Sequence, residues 1–106
     1  MNRQQQIDHF VAQAHKLAMQ RLREQPGRVY EVRAQLAQWR QLAGPTRSDV
    51  YWNEWDSLLA GPLDVLAAVI CADSDHAIVL RSVSPMSVLI TQAERMQLLT
   101  AARQAA

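Results

Sequence analysis

The sequence predicts an all-α protein: a single helical domain over residues 1–106, folded as a compact bundle of five to six helices. Three observations predict it. Apolar residues recur at steps of three and four through most of the chain, the period of a helix with one buried face. Nearly half of the residues are hydrophobic, and the high Ala, Leu, Gln and Arg content favours helix. Pro26-Gly27, Gly44-Pro45 and Gly61-Pro62 punctuate the periodic stretches where helices would have to stop.

The first helix is expected from about Gln4 to Glu24, where Ile7, Phe10, Val11, Ala14, Leu17, Ala18 and Leu22 form the stripe. His9, Lys16, Gln20 and Arg23 share the opposite, solvated face. Arg21 projects inside the stripe. Its stem either lies along the core edge with the guanidinium reaching water, the reading favoured by the ease with which long cationic chains snorkel, or it pairs with an acid from the second half. A second helix, about Arg28 to Leu42, buries Val29, Val32, Leu36, Trp39 and Ala43. On its flank, Arg33 and Arg40 lie two turns apart with Ala37 between them, a spacing that lets both approach a phosphate or a carboxylate-bearing partner.

The stretch Tyr51 to Cys71 organises the rest. Projected at about 100° per residue, Tyr51, Trp52, Trp55, Leu58 and Leu59 share one arc, and Thr46 or Ser48 is the expected cap. Gly61 is expected in the left-handed conformation and Pro62 at the first position of the next helix. That next helix, about Pro62–Cys71, carries Asp64 as its only charge, so it is expected to be the central helix, surrounded on all sides. Asp73, Ser74 and Asp75 offer caps for a short helix over His76 to Leu80 that ends near Ser84-Pro85. Met86 to Ile90 should tuck under the bundle. Thr91 and Glu94 fit a capping box that starts a last helix, whose tail AARQAA frays.

The composition bounds function. Net charge is +1 with a pI near 8.0, below the range of a dedicated nucleic-acid module. Residues 1–48 carry eight Arg or Lys against three acids (+5), and residues 49–106 three against seven (−4). The two halves either neutralise each other internally or present opposite faces to partners. Cys71 is the one cysteine, the first ten residues lack a signal-peptide core and no window reaches membrane-spanning length, which together point to a cytoplasmic protein with no membrane partner.

No catalytic constellation emerges. Three scattered glycines cannot form a phosphate loop, His9 and His15 lie on different faces, and Cys71 at the end of an apolar helix reads as a core thiol. No metal and no cofactor is expected. Surface recognition is left, with Arg21, Arg33, Arg40, Trp39 and Trp52 as partner-binding candidates, although the tryptophans read first as core anchors.

From the aromatic helix onward, Trp55, Leu58, Leu59, Gly61, Pro62, Leu63 and Asp64, then Leu80, Arg81, Ser84 and Pro85, then Glu94 and Arg95 form a pattern over about half the chain. It resembles that of small helical bacterial proteins of unassigned function, some encoded beside toxin-like or regulatory genes. The sequence departs from it in having Met86 where the pattern has an aromatic. The resemblance implies a bacterial helical accessory protein and carries no catalytic residues to transfer; read physically, Arg81 and Ser84-Pro85 are expected to orient the turn before the last helix, with Glu94 or Arg95 in a cap or an ion pair. The expected function is therefore a non-enzymatic protein-protein interaction or regulatory (antitoxin-like) protein that binds another protein. The alternative is a dimeric DNA-binding regulator using Arg21, Arg23, Arg28, Arg33 and Arg40; a weaker reading is an enzyme with a tryptophan-lined pocket.

Overall fold

The computed structural model describes residues 2–104. Six α-helices carry the fold: α1 (Arg3–Glu24), α2 (Val29–Ala43), α3 (Asp49–Ala60), α4 (Leu63–Ile70), α5 (Asp75–Ser82) and α6 (Gln92–Gln104). Two 3-10 turns, Pro26–Arg28 and Met86–Leu89, join them, and no strand occurs among the described residues. The all-α bundle expected from the sequence is what forms.

Local chemistry explains most helix starts. Asn2 and Gln5 exchange side-chain and backbone hydrogen bonds at 2.8 and 3.0 Å in a capping box that opens α1. Thr91 and Glu94 do the same for α6 at 3.1 and 2.8 Å, and Ser74 Oγ accepts the Ala77 amide at the head of α5. The expected cap of α3 is different. Ser48 is already helical (φ −75°, ψ −12°), so its hydroxyl cannot reach forward over the first turn as a cap does; instead Asp49 reaches back to the Thr46 amide and hydroxyl. Gly61 is also different: its backbone is extended (φ −100°, ψ −168°), and the left-handed turn is made by Gly44 (φ +64°). Pro62 stands one residue before α4 rather than inside it.

The helix at the centre is α1, which packs against α4, α5, α6 and both 3-10 turns. Its contacts with α6 run antiparallel: Arg3 and Ile7 lie by Leu99 and Arg103, while Arg21 meets Glu94 at the other end. The expectation that α4 would be surrounded is corrected. Leu66 and Ile70, one turn apart, are fully buried, but Asp64, Val65 and Ala68 face solvent, and Val65 is 50% exposed. Two helical turns touched by α1, α3 and α5 leave one side open. The core joins Leu22, Val32, Leu36, Trp55, Leu66, Ile70, Leu80 and Leu89. Met86 and Leu89 tuck beneath it, as expected. The expected fraying falls partly on residues 105 and 106, outside the described residues; the chain is helical to Gln104.

The charge halves meet internally. Arg21–Glu94, Arg23–Asp64 and Arg40–Asp56, at 2.7, 2.9 and 2.7 Å, each join a first-half arginine to a second-half acid.

Candidate functional site

Short helices leave their last carbonyls without intrahelical donors, and here side chains supply them. Trp55 Nε1–H donates to the Leu80 carbonyl at 2.9 Å and Trp52 Nε1–H to that of Val83 at 3.1 Å, which closes the C-terminal end of α5. Arg81 Nη1–H donates to the Ile70 and Ala72 carbonyls at 2.8 and 2.9 Å, which closes α4. The tryptophans are thereby spent on the core, and Trp52 is only 9% exposed.

The remaining partner-binding candidates do not form one surface. Of the two courses expected for Arg21, the favoured reach to water gives way to the pairing with a second-half acid: it is bound bidentately to Glu94 at 2.7 Å and to the Leu89 carbonyl at 2.9 Å. Glu94 is held down to about 2 by that guanidinium and by the Thr91 amide. Arg40 binds Asp56 and Asn53, both at 2.7 Å. Trp39 is half-buried against the core, and Arg33 is exposed with no hydrogen-bond partner among the described residues. Arg95 lies 5.2 Å over the Phe10 ring.

A serine–histidine pair missed from the sequence lies inside the bundle. His15 Nδ1–H donates to the Val11 carbonyl at 2.8 Å, which fixes the tautomer; Nε2 accepts from the Ser84 hydroxyl at 2.7 Å, and Ser84 Oγ accepts the Met86 amide at 3.1 Å. Burial pushes the imidazole down to about 4, so it is neutral at pH 7. The geometry is that of a nucleophile beside its base. Neither residue lines the groove described below, however, and the imidazole packs 6.3 Å from the Trp55 ring, so the pair acts as a strut between α1 and the turn before α6. Its signal was in the sequence: Val11, His15, Ala18 and Leu22 form one stripe.

The concavity the sequence did not announce is a groove of about 720 Å³ between the first half of α1 and the α4–α5 corner. Ala12, Cys71, Ala72 and Ile78 line it with the polar side chains of Gln13 and Lys16, while Asp8 and Asp73 also border it. A smaller extension of about 360 Å³ over Ile7 and Val11 shares Asp8, Ile78 and Arg81 with it. Cys71 is therefore not a core thiol: it is half-buried at the groove wall. Burial raises its pKa against the opposing fields of Arg81, Lys16 and Arg23, so it is a protonated thiol and not an activated nucleophile. Among the described residues no three His, Cys, Asp or Glu side chains converge as metal ligands, and no helix is long and apolar enough to cross a membrane.

None of the known family models, curated protein sequences or solved structures compared with the chain matches it.

Proposed function

We propose that the chain is a non-enzymatic regulatory protein of the antitoxin-like kind, which works in the cytoplasm by holding a segment of a partner protein in the groove between α1 and α5. The observation that carries this reading is the groove itself: apolar side chains along its length, charged and amide side chains around them, and half-exposed Ile7 and Ile78 held on two rigid helices. Grooves of that make-up take peptide segments by burying apolar anchors and orienting them with a few polar contacts. The serine–histidine pair of Ser84 and His15 does not line this groove, which supports a binding role over catalysis.

The DNA-binding alternative draws on Arg21, Arg23, Arg28, Arg33 and Arg40. Four of these are committed to carboxylates within the chain, and only Arg33 offers a free charge to a phosphate. Duplex binding that weakens steeply with salt would revive it.

The test is co-purification from the native host. A partner in one-to-one ratio is expected with the wild-type chain and with Gln97→Arg on the exposed face of α6, and its loss is expected with Ile78→Arg. A partner retained by Ile78→Arg would remove the groove from the account, and recovery of the lone chain would remove the partner.

A further inference from the structure

The deepest charge in the groove lacks a counter-charge. Arg81 is 8% exposed, and among the described residues no carboxylate stands within ion-pair distance of it. Buried charges ordinarily have one, because desolvation is costly. The carbonyl end of α4 offsets part of the charge through Nη1, one nitrogen of the three. The other two, Nε and Nη2, donate to nothing among the described residues. No buried side-chain nitrogen or oxygen among the described residues is without a partner, so these two reach solvent, and the hollow that Arg81 lines is the groove. A guanidinium edge with free N–H groups is the fork that a carboxylate fits.

The surroundings narrow the ligand. Lys16 adds a second cation from α1, and Ile78, Ala12 and, further along, Ile7 offer an apolar track. Asp8 and Asp73 border the same groove and disfavour a multiply charged anion such as phosphate. We propose that the groove binds a carboxylate with an apolar tail, the carboxylate seated on the free edge of Arg81 and the tail laid along Ile78 toward Ile7. The inference deepens the docking reading, since such a carboxylate is either a small free acid or the chain end of the partner's segment.

The experiment is an amide-shift titration of the isolated chain by NMR with hexanoate, hexanamide and inorganic phosphate. Hexanoate is expected to give saturable shifts at Lys16, Cys71, Ala72, Ile78 and Arg81, with hexanamide at least about tenfold weaker and phosphate without saturation. Lys16→Gln should weaken hexanoate severalfold, and Arg81→Lys should remove binding. Because Arg81 also closes α4, its variant is checked for folding by thermal melt, and Lys16→Gln keeps the test decisive if it unfolds. Equal binding of hexanoate and hexanamide, or shifts elsewhere on the surface, overturns the proposal. A five-residue apolar peptide with a free C-terminus that binds tighter than both its C-terminal amide and hexanoate identifies a chain end; hexanoate tighter than the peptide identifies a free acid. A negative titration alongside Ile78-dependent partner capture defeats only the carboxylate, whereas the reverse pattern defeats only the partner.

Discussion

His15 shows how one side chain sets a pH limit on the fold. Its pKa lies at about 4 in the folded chain against the 6.5 of an ordinary histidine. A base depressed on folding contributes stability that is fully present above pH 6.5 and is lost as pH falls toward 4, where the unfolded chain binds the proton first. Stability should drop by roughly 3 kcal/mol across that window, measured by urea unfolding at stepped pH, and His15→Gln should flatten the slope. Glu94 is depressed too, so its contribution fades only below the carboxylate range, from 4.5 toward 2. Trp55 allows a second prediction at this scale. Trp55→Phe keeps most of the buried ring but removes one of the two donors to the Leu80 carbonyl, which keeps the Val83 amide at 3.2 Å, with an expected cost of about 0.5–1.5 kcal/mol in chemical denaturation. The stripe that holds His15 was legible in the sequence, but its partner Ser84, 69 positions away, was not. Periodicity shows which face of a helix is inward and leaves open what it meets there.

At the scale of elements, two glycines that look alike in sequence behave differently. Gly44, at φ +64° and ψ −161°, occupies a region that L side chains avoid, so Gly44→Ala should cost about 1–3 kcal/mol although no atom crowds its Cβ position. Gly61 is extended, and a Cβ there would meet only the Ser57 and Leu58 carbonyl oxygens at 3.6 and 3.7 Å. Gly61→Ala should therefore be neutral or stabilising by up to about 1 kcal/mol through the unfolded chain. The same contrast holds within α4. Leu66→Ala should cost about 2–5 kcal/mol, while Val65→Ala, on the open side, should stay within about 0.5 kcal/mol. Thermal melts of the four variants check both pairs. Helix positions were legible because Pro, Gly and the capping residues act over one turn. The burial of α4 was overread because an unbroken apolar run does not say how many neighbours a two-turn helix can have.

For the whole molecule, the opposite charges of the two halves resolve into ion pairs between them, which is why arginines expected to meet a partner meet Glu94, Asp64 and Asp56 instead. The groove could not be read from the chain, since it exists only through the placement of α5 beside α1. Its lining comes from Gln5, which lies in the first turns of α1, through to Arg81 at the end of α5. The most direct measurement of its role is hydrogen–deuterium exchange of the free chain and of its complex with the co-purified partner. Protection gained in residues 5–16 and 71–81, with α2 and α6 unchanged, is the predicted result. Protection gained on α2 or α6 while those two segments exchange as before would contradict it.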